Sequence, residues 1–178
     1  MNYAGIIEDD IADSTDGVCV SLWFNGCDIR CPGCHNKGCW DAKSEVPNEE
    51  VAQRLITLLD EAWDRGILKS LSILGGEPLS VDNRKDCYEI LHQCGARLPH
   101  VGVRLWTGRT KEQLIKLCEE DYQVAWVLNR CSEIIVGPFI EELKENLPLR
   151  GSSNQEILVN GKDYKILNFK QFTLINGD

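Results

Sequence analysis

Val18-Cys19-Val20-Ser21-Leu22-Trp23-Phe24-Asn25-Gly26, running directly into Cys27-Asp28-Ile29-Arg30-Cys31-Pro32-Gly33-Cys34, sets the reading of the whole chain. The first seven residues are rich enough in β-branched and aromatic types to form a buried strand, which Asn25-Gly26 stops. A cysteine-rich loop to Asp41 follows. Beyond it Asn48 caps a helix with Glu49 and Glu50 in its first turn, and Val51, Leu55, Leu58, Leu59 and Ala62 recur at helical spacing until Gly66. A second strand, Lys69 to Leu74, ends at Gly75-Gly76-Glu77-Pro78. Arg84 to Gly95 has helical composition and Val101 to Trp106 reads as a third strand. Thr110-Lys111-Glu112-Gln113 is a capping box that opens a helix through Glu120, and Glu133 to Val136 is a fourth strand halted by Gly137-Pro138.

Strands and helices alternating at roughly 30-residue spacing are the signature of βα units and a mostly parallel sheet. Four such units are too few to close an eight-stranded barrel. The expected fold is therefore α/β, a partial, open βα barrel with mostly parallel strands, with a doubly wound sheet as the alternative. The tail differs in kind: Glu156 to Val159, Asn160-Gly161 and Tyr164 to Leu167 read as a C-terminal hairpin around a tight turn. A length of 178 residues suits a single domain, 1–178, with 155–178 as its tail.

Hydrophobic residues make up 43% and charged residues 26%, near the globular average, which argues against disorder and fibrous repeats. The formal charge of −9 repels a phosphate backbone over most of the surface, so no nucleic-acid partner is expected. No stretch approaches the ~18 to 20 apolar residues of a membrane span, and Met1 to Gly5 has neither the basic nor the apolar part of an export signal. The expected location is the cytoplasm. The acidic runs Asp9-Asp10, Glu49-Glu50, Glu119-Glu120-Asp121 and Glu141-Glu142 read as solvated faces.

Nine cysteines is the outlying number. An odd count without an export signal favours metal or redox chemistry over a disulfide framework. Cys19, Cys87, Cys94, Cys118 and Cys131 lie among apolar residues and read as core thiols, whereas Cys27, Cys31, Cys34 and Cys39 share one short segment. The C-x3-C-x2-C spacing gathers three thiolates on a turn-rich loop. Iron–sulfur clusters are held by thiolates, usually four for a cubane, so three would leave one iron open to bind something else. Spacing alone leaves two alternatives standing: a tetrahedral zinc site completed by Cys39 or His35, and three unbound thiols. The cysteine loop, Gly75-Gly76-Glu77-Pro78, Thr107-Gly108-Arg109 and Gly137-Pro138 each follow a predicted strand. All four therefore fall at the C-terminal edge of the sheet, where α/β folds place ligands. No Ser-His-Asp or paired-carboxylate constellation is recognisable.

C-x3-C-x2-C after a first strand, with a GGE-P turn after the second, resembles the radical S-adenosylmethionine superfamily. Within it, Cys31-Pro32-Gly33-Cys34-His35-Asn36-Lys37, Trp40, Gly75-Gly76-Glu77-Pro78-Leu79, Leu105-Trp106-Thr107-Gly108 and Arg150-Gly151-Ser152-Ser153-Asn154-Gln155 are similar to the activating enzymes of anaerobic ribonucleoside-triphosphate reductase. Three departures stand out: His35 where that family usually has Tyr, Glu77 for the more familiar Asp, and Gly137-Pro138-Phe139 for an Asp-Gly-Lys-Phe-like segment.

The resemblance implies that Cys27, Cys31 and Cys34 are the catalytic ligands of a [4Fe-4S] cluster whose fourth iron is chelated by S-adenosylmethionine. It implies that Gly75, Gly76 and Glu77 receive the methionyl end of that cofactor, and that Gly33, Cys34 and His35 line its adenine side. The implied activity is that of an oxidoreductase. One electron from a donor such as a flavodoxin or ferredoxin cleaves the cofactor, and the 5′-deoxyadenosyl radical abstracts a Cα hydrogen from a glycine of anaerobic ribonucleoside-triphosphate reductase. The alternatives are a radical enzyme for another glycyl-radical enzyme or a small molecule, and a non-catalytic zinc-binding module.

Overall fold

Val20, Leu22 and Phe24 are wholly buried in one hydrophobic core, while Trp23 between them turns to the opposite face of its strand. That alternation organises the computed structural model, which describes residues 1–168 and 170–175. In chain order the elements are β1 (Tyr3–Asp10), β2 (Val18–Phe24), α1 (Asn48–Asp64), β3 (Lys69–Gly75), α2 (Arg84–Arg97), β4 (Val103–Thr107), α3 (Lys111–Glu120), α4 (Tyr122–Arg130), β5 (Glu133–Val136), β6 (Lys144–Leu147), β7 (Arg150–Ser152), β8 (Glu156–Val159), β9 (Tyr164–Asn168) and β10 (Gln171–Leu174).

The main sheet has the order β1-β2-β3-β4-β5-β8. Its four central strands run parallel, and β1 and β8 flank them antiparallel. Leu22 pairs with Ile73, Ile73 with Leu105, Leu105 with Ile134 and Ile134 with Leu158, so one row of core side chains crosses five strands. Sequential parallel strands joined by right-handed crossovers put all their helices on one face. The other face is left for a ligand. The result is the open partial barrel, and its edges are the antiparallel strands.

The capping box is present: Thr110 Oγ1 accepts from the Gln113 amide, and Gln113 Oε1 accepts from the Thr110 amide at 2.9 Å. Asn48 does not cap α1. It is the first helical residue, and its Nδ2 donates to Asp86 and Glu89, tying α1 to α2. The five scattered cysteines are all buried, as core thiols should be. Two acidic residues read as solvated are not. Asp10 is buried and its Oδ1 accepts from the amides of Ala12 and Asp13, while Asp121 Oδ1 caps α4 through the Gln123 amide.

The C-terminal hairpin forms one strand later than the sequence suggests. Residues 156–159 join the main sheet beside β5, and the hairpin is β9 with β10. Tyr164 anchors it: its hydroxyl lies 3.0 Å from the Leu128 carbonyl and 2.8 Å from that of Cys131, and its ring stacks on Phe172 at 5.3 Å. Residues 169 and 176–178, part of the expected tail, lie outside the described residues. Among the described residues no helix is long and apolar enough to cross a membrane.

Candidate active site

The end of β2 and the turn after β3 are locked together before any side chain contributes. The Gly76 amide donates to the Phe24 carbonyl at 2.7 Å and the Glu77 amide to the Gly26 carbonyl at 2.8 Å. A Cβ on Gly75 would lie 2.5 Å from Phe24 O, and one on Gly76 only 2.1 Å from Gly26 O. Gly75 also has φ of +108°, a conformation that L side chains rarely adopt. The two glycines thus let one backbone rest on another at the residue preceding Cys27. Buried Asn83 completes the lock, its Nδ2 reaching the carbonyls of Asn25, Gly26 and Glu77.

The loop that begins there closes on itself. The Gly26 amide donates to the Cys39 carbonyl at 2.7 Å and the Cys27 amide to that of Trp40 at 3.2 Å. Inside it the Cys34 amide donates to the Cys31 carbonyl, and the Asn36 amide points at Cys34 Sγ at 3.3 Å. All four loop thiols are half-buried and free. Burial raises the pKa of Cys27, Cys31 and Cys39, while the amides of Arg30 and Ile29 pull against it at Cys27 and that of Phe139 at Cys31. Among the described residues no three His, Cys, Asp or Glu side chains converge on one ion-sized point.

Neighbouring strand ends brace this loop. Arg109 pairs with Asp28 at 2.7 Å, and Gly108 lies against Ile29. Glu77, buried, accepts from the Leu79 amide at 3.0 Å, from Thr107 Oγ1 at 2.8 Å and from the Gly108 amide at 2.8 Å. Burial raises its pKa, and these donors together with Arg109 pull back against that rise. Its carboxyl therefore ties the β3 turn to the β4 turn. The segment 150–155 clamps the far side: Gln155 accepts from the amides of Gly151 and Ser152 and donates to the Gly137 carbonyl, while Asn154 donates to that of Pro138.

Between these parts lies a cavity of about 820 Å³. Trp23, Leu74 and Trp106 form its floor from three successive strands, and Cys34, His35, Phe139 and Arg150 its walls. His35 packs on Phe139 with centroids 5.6 Å apart, and Trp106 Nε1 donates to the Leu149 carbonyl at 2.7 Å. Of the residues expected to bind cluster or cofactor, Cys34 and His35 line this cavity, and Asn36, Trp106, Arg150, Gly151 and Gln155 of the other quoted motifs line it with them. Cys27 opens on a separate recess, Gly33 turns at φ +75° against Glu141, Gly75 and Gly76, each partly exposed, rest on Phe24 and Gly26 at the head of the loop, and Glu77 is buried.

Sequence reasoning missed Trp23, Asp13 and Arg104. Trp23 was marked by strand alternation, because residues beside core positions must face the other way. Arg104 is buried in contact with Glu133 at 2.6 Å, Asp16 at 3.4 Å and the Asp13 carbonyl at 3.5 Å. Ser72 Oγ grips the same carbonyl at 2.7 Å, which holds the β1–β2 loop over the sheet and Asp13 against the cavity. Burial, then the neighbouring Asp10 charge, pushes the Asp13 pKa up to about 7.

Residues 14–158 match the model of a family described as "4Fe-4S single cluster domain". The chain is 30% identical over 159 residues to the anaerobic ribonucleoside-triphosphate reductase-activating protein of Escherichia coli (strain K12), covering 88% of this chain and 97% of that one. The chain belongs to the family of anaerobic ribonucleoside-triphosphate reductase-activating proteins. The relative from Enterobacteria phage T4 is 29% identical over 90% of this chain and 95% of its own. The one from Vibrio cholerae is 29% identical over 88% and 97%. Membership of a 4Fe-4S family answers the choice between cluster and zinc that spacing left open. The donor set also fits a cluster, since a cubane takes each thiolate at a different iron and does not require the sulfurs to meet at one point.

Proposed function

We propose that this chain is a radical S-adenosylmethionine oxidoreductase that installs a glycyl radical on anaerobic ribonucleoside-triphosphate reductase in the cytoplasm. When bound, a [4Fe-4S] cluster and S-adenosylmethionine supply the radical chemistry, by one-electron cleavage of the sulfonium to a 5′-deoxyadenosyl radical. The protein's share is holding and shielding. Cys27, Cys31 and Cys34 are the cluster ligands. Cys39 serves through its carbonyl, which closes the loop, and its thiol is not required.

With the amides of Gly76 and Glu77 already used, the Gly76 carbonyl, which has no partner among the described residues, is the acceptor left for a methionyl ammonium. Arg150 lines the same cavity, and its guanidinium suits a carboxylate. His35, Trp23 and Trp106 offer aromatic faces to adenine, and Gly33 lets the chain turn between Cys31 and Cys34. The apolar floor keeps water from the reacting atoms. Transfer of a hydrogen atom needs no general base. The open barrel leaves a side through which a glycine-bearing loop can enter.

The observation that carries this reading is that Cys34 and His35 open into the large cavity that the 150–155 clamp borders, in a chain of this family. Anaerobic reconstitution with iron and sulfide, followed by incubation with the reductase, S-adenosylmethionine and a reductant, should give the electron paramagnetic resonance doublet of a glycyl radical. A colourless, zinc-containing protein with no such signal would refute it.

A further inference from the structure

The cysteine loop has two faces, and they open on different cavities. Cys34 and His35 face the large cavity. Cys27 lines a second recess of about 420 Å³, with Arg30, Trp40 and Asp41 from the loop and Ser80, Val81 and Asp82 from the segment after the β3 turn. Two polar atoms here, Trp40 Nε1 and Ser80 Oγ, are buried with no partner, and Ser80 is only 4% exposed. Asp28 is paired with Arg109 and Asp41 with Arg30, so Asp82 is the one charge of this recess without an ion pair among the described residues. On a chain of net charge −9 this is a nearly neutral patch, and Val81 at its edge is 71% exposed.

We propose that this recess is the docking face of the one-electron carrier protein that reduces the cluster. The inference rests on the proposed function. An electron must arrive from outside while cofactor and substrate fill the large cavity. A carrier seated beside Cys27 leaves the Cys34 face free, so electron and polypeptide approach from opposite sides of one loop. The carrier loses one electron, the cluster gains it, and no bond or proton moves. An exposed apolar residue beside two orphaned hydrogen-bonding groups suits a protein surface rather than a small reductant, because a partner side chain seated in the recess satisfies both groups. With the charges largely paired, docking depends only weakly on salt.

The test uses cluster-loaded protein and follows loss of cluster absorbance by stopped flow, with reduced flavodoxin or reduced ferredoxin as carrier and dithionite as small reductant. Val81→Asp should slow reduction by the effective carrier by about tenfold or more while leaving dithionite reduction within about twofold. Trp40→Phe, which removes the indole N–H together with part of the ring, should weaken calorimetrically measured carrier binding in the same direction. Leu68→Asp, on an exposed residue before β3 at the opposite edge of the sheet, should change neither rate. The docking face is overturned if carrier-driven reduction is unchanged in both recess variants, or if both reductants slow equally. Failure of the wild-type chain to hold any cluster overturns the proposed function and this inference with it.

Discussion

Replacing Glu77 with alanine removes the single acceptor of three donors, the buried Leu79 amide and Thr107 hydroxyl and the part-buried Gly108 amide. A donor left buried and unpaired costs about 1–3 kcal/mol. The hydroxyl can rotate, so the two amides set the loss at roughly 2–6 kcal/mol. Part of this is offset because the variant no longer buries a carboxyl whose pKa burial has raised. A net destabilisation of about 2–4 kcal/mol follows, a large share of the roughly 5–15 kcal/mol that holds an ordinary domain together. The assay is urea unfolding of the metal-free protein with no cofactor present. With an m-value of ~2 kcal/mol/M, the midpoint should fall by about 1–2 M. Glu77→Gln, which keeps one acceptor oxygen, should fall between the two. A midpoint for Glu77→Ala within about 0.3 M of wild type would refute the brace and return Glu77 to the role of a cofactor contact.

Cys27→Ala, Cys31→Ala and Cys34→Ala should each abolish cluster-dependent cleavage of S-adenosylmethionine, and Cys39→Ala should retain it, as read by release of 5′-deoxyadenosine. Gly76→Ala should displace Gly26, whose carbonyl lies 2.1 Å from the new Cβ, and so lower cluster occupancy as well as cofactor affinity. An intact cluster spectrum with weakened cofactor binding would count against that close contact. For Asp13 the folded pKa of about 7 lies above the ordinary 3.8. Its contribution to stability is therefore full below pH ~4 and is lost as pH rises through about 7. Asp13→Asn should match wild type at pH 4 and exceed it by about 1–2 kcal/mol at pH 8 after discounting for solvent screening, measured by denaturation across that range.

The parallel core of the sheet was legible because each central strand pairs a short run rich in β-branched, aliphatic or aromatic residues with a hard stop: Asn25-Gly26, Gly75-Gly76, Thr107-Gly108 or Gly137-Pro138. β1 was not, because most of its residues are only partly buried or exposed and no hydrophobic alternation marks it. α4 was hidden by Asp121, which reads as the end of an acidic run yet caps a new helix. The tail was misread at Asn160-Gly161, where a turn signal says that the chain bends but not which strand the preceding segment joins. β5 offered an open edge, and 156–159 took it. At the site, the loop and its thiols followed from spacing, but the role of Glu77 did not. Its three donors come from positions 79, 107 and 108, and only folding brings the last two to it. Arg104 was invisible for the same reason, since its partners lie at 13, 16 and 133.

The proposed function turns on the transfer of a hydrogen atom from a glycine of a partner protein. The most direct measurement places deuterium at the Cα of the glycines of the reductase and analyses the nucleoside formed when the cluster-loaded protein, reductant and S-adenosylmethionine are added anaerobically. Deuterium is expected in 5′-deoxyadenosine, in step with the growth of the glycyl radical signal. Nucleoside free of deuterium, with rapid turnover of a small purine or sugar substrate instead, would contradict it.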